Sequence, residues 1–540
     1  MHASLHSGAI VGASAVPVEV QVDLALGLPG FFLVGLPDSA CIEARVRCVT
    51  AIRNSGLQLP QKRITVNLAP SDLRKEGAAF DLAIALGVLR ASGLLAAGAA
   101  GSWVVGELSL IGEVLPVRGV LPIALAARRA GARMLIVPAA NAAEAAMVDG
   151  LQVFSVASLT EARMMLAGEL QPRPAALAPA SPDPAPAALD FADVRGQLSC
   201  KRALEVAAAG AHNALLVGPP GSGKTMLARR LPGLLPPLSF EESLETTAVW
   251  SVAGRLKPGQ GLLQERPFRS PHHTISVPGL VGGGSPPRPG EISLAHHGVL
   301  FLDELPEFGR AALEALRQPL EDGEVTVVRT RASATLPSRF MLVAAMNPCP
   351  CGHAADPDPG RCRCTPLARE AYGRRVSGPI LDRFDLHIEA PALTAQEITG
   401  EGLAESSAQV RTRVLAARER QQKRLARLPG VHANGQLRGR ALRELCRPSP
   451  AARKLLAHAM GALRLSARAH DRILKVSRTV ADLADADGVD LEHILEAVQY
   501  RSLDRAPPPP GPALPPLERE RRHQPPGASS GAAPTPREGS

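Results

Sequence analysis

Aromatic side chains are scarce. Two Trp, two Tyr and eleven Phe make up 3% of the chain. A nucleic-acid site built by stacking bases on rings therefore has little material. Long apolar runs are lacking as well. The nearest approach to one, ALGVLRASGLLAAGAAG, is interrupted by Arg90, whereas a bilayer span needs about 20 predominantly apolar residues. The opening stretch MHASLHSGAIVGASAVPVEV has neither a basic n-region nor a long apolar core. No secretory signal is expected, and the expected compartment is the cytosol, so the chain is read as cytoplasmic. Cysteine is sparse, at eight residues, and unevenly placed. Cys349, Cys351, Cys362 and Cys364 fall within MNPCPCGHAADPDPGRCRC, while Cys41, Cys48, Cys200 and Cys446 are scattered. In a reducing compartment such a cluster reads as metal ligands or reactive thiols rather than disulfides. The scattered four read as packing residues. The net charge of +9 permits nucleic-acid binding without demanding it.

What is present divides the chain. A 45% apolar fraction is that of a folded soluble protein, and the length suggests about three domains. LQPRPAALAPASPDPAPAALD, residues 170–190, is rich in Pro and Ala and reads as a semi-extended linker. Residues 506–540 cannot bury enough surface to fold and read as a disordered tail. Between them lie an N-terminal domain, residues 1–169, and a larger unit that ends near residue 505.

The larger unit carries the clearest chemistry. NALLVGPPGSGKTMLARRL is an apolar run, a Gly/Pro turn and an amphipathic helix. Gly218, Gly223, Lys224 and Thr225 match G-x-x-x-x-G-K-[ST], with Pro219, Pro220, Gly221 and Ser222 completing the loop. Glycines let backbone N–H groups close around phosphates, Lys224 reaches the β/γ-phosphates and Thr225 ligates Mg²⁺. GVLFLDELPEF runs Val299 to Leu302 into Asp303 and Glu304, as a buried strand with carboxylates at its carboxyl end would. Asp303 is expected to hold Mg²⁺ and Glu304 to orient the attacking water. A third apolar run, FMLVAAMN, ends in Asn347, placed to hydrogen-bond the water or the γ-phosphate.

Together GPPGSGKT, LFLDEL and AAMNPCPCG resemble the Walker A, Walker B and sensor 1 segments of AAA+ ATPases of the magnesium-chelatase-like group. SGPILDRFDLHIE resembles that group's arginine-finger segment, which makes Arg383 the finger donated to a neighbouring subunit. The other reading of Arg383 is an ion pair with Asp382 or Asp385. LSARAHDRILKVSRTVADL resembles the lid helix bearing sensor 2, with Arg468 at the matching position and Arg472 as the alternative. The NPCPCG…RCRC insert and the N-terminal GELSLIGEVLPVRGVLPIALAARRAGARMLIVPAAN extend the resemblance to the YifB/ComM family over about residues 5–500. It implies an α/β fold class: an S5-like α/β N-terminal domain, an AAA+ P-loop α/β domain over residues 191–395 and a helical lid over 396–505. It also implies ATP and Mg²⁺ as cofactors, a homo-oligomeric ring, typically a hexamer, and no membrane. The implied activity is branch migration of DNA joint molecules in recombination during natural transformation. The competing class is a protein-remodelling motor of the magnesium-chelatase kind; a non-enzymatic recombination scaffold is the third, disfavoured by the intact phosphate-site residues.

Three inserts refine this expectation. GEVTVVRTRASATLPSRFMLV alternates apolar and polar residues around RTR, a hairpin pattern with Arg329 and Arg331 near the tip. It resembles the pre-sensor-1 hairpin of helicases. Arg269, His272, His273 and Arg288, in a loop rich in Gly, Pro and His, are candidates for phosphate contact, with capping or packing of the loop as the alternative for the two histidines. The cysteine loop is C-x-C, a polar spacer and C-x-C. Four thiolates suit a tetrahedral structural Zn²⁺, with His353 able to replace one, although the inner spacing departs from the usual C-x₂₋₄-C; four unliganded thiols are the alternative. Basic residues from Arg411 to Arg447 outnumber acids. On AQVRTRVLAARERQQKRLARL the apolar Val410, Val414, Leu415 and Leu425 are expected inward, leaving a basic stripe for a phosphate backbone or a merely solvated face. No sequence-reading motif appears, so DNA binding is expected to be non-specific. The N-terminal domain resembles the proteolytic domain of Lon, but RKEGAAFD has Ala79 where Lon has serine and RGVLPI has Leu121 where it has lysine. Without nucleophile or base no acyl chemistry can start, and a scaffold or DNA-contacting collar is expected instead.

Overall fold

A computed structural model describes residues 1–95, 102–171, 175, 189–284, 287–329, 332–354, 359–394, 397 and 405–504. Most of the expected linker, the hairpin tip with Arg331, and the tail lie outside these residues. No helix among those described is long and apolar enough to cross a membrane.

Alternation of burial builds the N-terminal sheet. Val18, Val20, Val22 and Leu24 of strand Ser14–Ala25 are all buried, two residues apart and therefore on one face. Seven strands pair in the order Gly30–Val34, Arg63–Ala69, Ser14–Ala25, His2–Val11, Trp103–Val104, Met134–Pro138 and Gln152–Val156. Helix Asp81–Ala91 is apolar almost all round and is buried against the third and fourth of these strands. Asp38 caps helix Ser39–Asn54 by accepting the Cys41 backbone N–H at 2.7 Å.

The second sheet is wholly parallel and runs Phe268–Arg269, Val299–Leu302, Met341–Met346, Ala214–Val217, Leu386–Glu389. Each central strand is buried on both faces, which explains its unbroken apolar sequence. Ala214 and Leu216 enter one core layer and Leu215 the other. Because the strands are parallel, the residues that follow Val217, Leu302 and Met346 emerge along one edge of the sheet.

Five helices, Ser407–Leu425, Gly439–Leu445, Pro450–Ala462, Ala467–Leu483 and Leu491–Gln499, complete the unit. The first starts at a reciprocal cap between Ser406 and Gln409. Its buried positions are Ser407, Val410, Val414, Ala417, Gln421 and Leu425, spaced three or four residues apart. The expected inward Leu415 is 39% exposed: it lies beside the buried stripe, which Gln421 joins instead by donating to the Ala209 carbonyl at 3.0 Å.

The two sheets are joined through insertions in the second unit. Glu324–Arg329 and Ala332–Pro337 form the expected antiparallel hairpin. Val325, Val327 and Leu336 on its inner face pack with Val281 and with Ala13 of the N-terminal domain. Full burial of such side chains contributes about 1.5–3 kcal/mol each. A buried hydrogen bond of 2.6 Å from Ser251 to Glu144 ties the domains a second time.

Candidate nucleotide site

Strand Ala214–Val217 ends in the Gly218–Gly223 loop, and helix Lys224–Arg230 follows. Gly223 has φ +86°, a conformation that a side chain would strain. The Lys224 ammonium is 8% exposed and donates to the carbonyls of Gly218 and Pro219 at 2.8 Å and to Asn347 Oδ1 at 3.3 Å. Burial lowers its pKa, with Asp303 opposing the shift. Three sequence-distant residues thus meet at one spot: Lys224, Asp303 and Asn347. The Thr225 hydroxyl donates to Asp303 Oδ2 at 2.7 Å. A hydroxyl and a carboxylate in contact at a strand end are the hard oxygen donors that Mg²⁺ accepts alongside its waters, so this pair fits the ion.

Glu304 follows Asp303 with φ +54°, a left-handed conformation uncommon outside glycine, which carries its carboxylate out of the strand line into solvent. Its Oε2 lies 3.5 Å from Nδ1 of His273. His273 is in the loop after Phe268–Arg269, and strand pairing alone brings it beside Glu304. Gln197 was invisible in the sequence as a site residue. Its amide donates to the carbonyls of Ser222 at 3.1 Å and Pro391 at 2.8 Å, bracing the phosphate loop from behind.

Arg383 and Arg468 lie elsewhere. Arg383 precedes strand Leu386–Glu389, at the amino ends of the parallel strands, whereas the phosphate loop leaves their carboxyl ends. Strands of four residues at about 3.3 Å each set the two edges roughly 13 Å or more apart. Arg383 ion-pairs with Glu321 rather than with Asp382 or Asp385. Those carboxylates hold Arg468 at 2.7 Å and Arg472 at 3.1 Å. Burial and then the neighbouring guanidiniums of Arg472, Arg468, Arg317 and Arg438 lower the Arg383 pKa. So both candidate sensor 2 arginines share the Arg383 edge, and neither is brought to the phosphate loop of its own chain.

The four clustered cysteines converge. Their sulfurs all lie within 4.8 Å of one another, and Cys349, Cys351 and Cys362 are 3.4–3.7 Å apart. A tetrahedral zinc with Zn–S bonds of about 2.3 Å has sulfurs about 3.8 Å apart, so the thiols present fit the ion. The His353 backbone N–H pulls Cys351 down to about 6, and the Arg369 guanidinium donates to Cys362 Sγ at 3.2 Å. Glu245, His296 and His297 also approach one another, but they do not make a metal site. The Arg339 backbone N–H donates to His296 Nδ1 at 3.0 Å, which puts the ring proton on Nε2, facing Glu245 at 3.2 Å. That nitrogen has no lone pair for a cation.

Several charged residues are committed within the fold. Arg413 pairs with Glu205 and Glu405, Arg420 with Asp485 and Arg424 with Asp482, while Arg418 is drawn against the Ala208 carbonyl. The expected basic stripe on this helix is therefore largely neutralised. Arg269 is spent too, in a two-pronged pair with Glu291 at 2.6 and 2.8 Å. Arg288 is exposed and His272 bonds Thr274 at 2.9 Å. The side chain of Arg329 lies outside the described residues. In the N-terminal domain Leu121 is fully buried and Ala79 packs against the same apolar cluster, beside a cavity of ≈ 650 Å³. The cysteines outside the loop, Cys41, Cys48, Cys200 and Cys446, are buried and unpaired as disulfides.

Family models place this geometry among known chains. Residues 190–398 match magnesium chelatase, subunit ChlI; residues 20–141 match subunit ChlI of Mg-chelatase; residues 404–501 match its C-terminal part. The uncharacterized protein YifB of Salmonella typhimurium is 47% identical over 507 residues, covering 93% of this chain and 97% of that protein. YifB of Escherichia coli is 46% identical over 509 residues, covering 93% and 97%. The competence protein ComM of Haemophilus influenzae is 45% identical over 508 residues, covering 93% and 98%.

Proposed function

Because this chain belongs to the magnesium-chelatase-like AAA+ family, in its YifB/ComM branch, we propose that it is a ring-forming ATPase that drives branch migration of DNA during natural transformation. The observation that carries this reading is the split of the arginines from the phosphate loop. Lys224, Thr225, Asp303 and Asn347 form one half-site; Arg383 and Arg468 sit at the opposite sheet edge, fit only to serve a neighbour's nucleotide.

The phosphate loop and Lys224 bind the triphosphate and orient it. Glu304 turns the attacking water in line, with Asn347 reaching the γ-phosphate, and Arg383 of the next subunit balances the charge that develops on transfer. Mg²⁺, held through Thr225 and Asp303, neutralises phosphate charge when bound. The four cysteines hold a structural Zn²⁺. A closed ring of such heterologous contacts, taken as a hexamer, accounts for the interfacial site. The hairpin contacts DNA through Arg329 and Arg331, and the binding is non-specific and falls steeply with salt. The N-terminal domain, with Ala79 and Leu121 at the positions where protease chemistry would sit, acts as a scaffold or collar rather than a protease.

The name of the competence relative supports the DNA reading. The chelatase names of all three matching models favour the alternative, a protein-remodelling ATPase. ATP hydrolysis measured with and without DNA, together with strand exchange on a three-stranded substrate, separates them. Stimulated hydrolysis and ATP-dependent exchange are expected; hydrolysis indifferent to DNA would favour the alternative.

A further inference from the structure

The cysteine loop is built against both halves of the phosphate site. Cys349 follows Asn347 by two residues, and the Gly352 N–H donates to the Cys349 carbonyl at 2.9 Å, closing a tight turn. Gly352 has φ +84°, and a Cβ there would lie 2.4 Å from Cδ and 2.7 Å from Cγ of Pro220. Pro220 is in the phosphate loop itself, so the turn rests on that loop with no space for even a methyl group. After Cys364 comes helix Pro366–Gly373, which carries the buried Tyr372. The Asn347 backbone N–H acts on the Tyr372 hydroxyl, opposing the upward push that burial gives its pKa. The guanidinium of Arg375 lies 5.8 Å from the Tyr372 ring centroid and pairs with Glu307 at 2.7 Å, just beyond Glu304.

The loop's spacer is Gly, His, Ala, Asp, Pro and Arg, and such a segment does not build an apolar core; a cross-link at the four thiols would fix it. We propose that occupancy of the cysteine cluster by a tetrahedral, thiolate-preferring divalent cation such as Zn²⁺ sets nucleotide affinity, by pressing Gly352 on Pro220 and seating Tyr372 at Asn347. This rests on reading the cluster as a metal site. The metal itself stays away from the phosphates; its effect passes through the two contacts.

The test uses the full chain. Metal content is measured by elemental analysis and the Kd of a non-hydrolysable ATP analogue by calorimetry. Both are measured before and after a mercurial thiol reagent removes the metal, and for Gly352→Ala. Circular dichroism follows the fold. The expected result is about one equivalent of metal, and a Kd that rises on the order of tenfold when it is removed, as loss of the groups supporting a site commonly does. Gly352→Ala keeps its metal and shows the same rise, which holds even if the stripped protein loses its fold. Protein that carries no metal and takes up none from added Zn²⁺ would overturn the metal-site reading. Metal bound in the wild type, with the Kd of Gly352→Ala unchanged, would overturn the coupling and leave that reading intact.

Discussion

At the carboxyl edge of the ATPase sheet Lys224, Thr225, Asp303 and Asn347 touch one another. At the amino edge Arg383, Arg468 and Arg472 are each tied to a separate carboxylate: Glu321, Asp382 and Asp385. One edge is a converged cluster with a buried ammonium; the other is a row of cations, each paired with an acid of its own chain. Parallel strands keep the two apart whatever the side chains do. The comparison teaches that one chain keeps its phosphate-loop residues and these arginines at separate edges; on the proposed reading, association completes the site. The N-terminal domain sharpens the point by contrast. There, alkyl side chains fill the positions a Lon-like reaction would need, and Leu121 is fully buried. A shared fold does not carry chemistry; the side chains at the site do.

Removing the amino-edge cation gives the largest effect. Arg383→Ala is expected to bind ATP normally and lose turnover by on the order of 10³-fold, as arginine fingers do. A matching loss of binding, read by calorimetry, would place Arg383 in its own chain's site. Lys224→Ala attacks the other edge: nucleotide affinity is expected to fall on the order of 100-fold, about 2.7 kcal/mol. Retained affinity would break the assignment of the phosphate loop.

Acid probes the packing toward the amino edge. Burial holds His296 down at about 4 and His387 at about 3, from an ordinary 6.5. Both stay neutral in the fold while the unfolded chain protonates below 6.5, so their contribution to stability is full above that pH and is lost as pH falls toward these values. Each is expected to cost at most about 2 kcal/mol by pH 5. Thermal unfolding at pH 7 and pH 5 measures the loss, and His387→Leu should flatten it. An unchanged slope in that variant would contradict the burial argument. The smallest effect concerns Glu321, half-exposed where it pairs with Arg383. Such pairs are worth about 0–1 kcal/mol. Glu321→Ala is expected to free the guanidinium and raise turnover by no more than about fivefold; a fall would mean that Glu321 holds Arg383 in its working pose.

The converged edge was legible in the sequence because each part is local. An apolar run of four to six residues followed by Gly-Pro-Pro-Gly, Asp-Glu or Asn announces a strand and what leaves it. The hairpin was legible too, since Val325 and Val327 alternate with polar residues. What was not legible depends on neighbours far along the chain. Gln197 braces Ser222 and Pro391, and no local pattern marks it. His273 reaches Glu304 only through strand order. The basic stripe failed because Glu205, Asp482 and Asp485, distant in sequence, consume its arginines. The inward face of Ser407–Leu425 was misjudged at Leu415, which is 39% exposed, while Gln421 is buried on the Ala209 carbonyl, a polar contact that apolar periodicity cannot register.

Mixing two inactive variants tests the split site most directly. Arg383→Ala keeps the phosphate half and Lys224→Ala keeps the arginine half. In an equal mixture with random placement around a ring of head-to-tail contacts, about a quarter of the interfaces pair both intact halves. The account predicts ATP hydrolysis in the mixture, up to about a quarter of the wild-type rate, when each variant alone has almost none. Variants that co-assemble without any recovery, or an Arg383→Ala protein that hydrolyses ATP fully as a monomer, would contradict it.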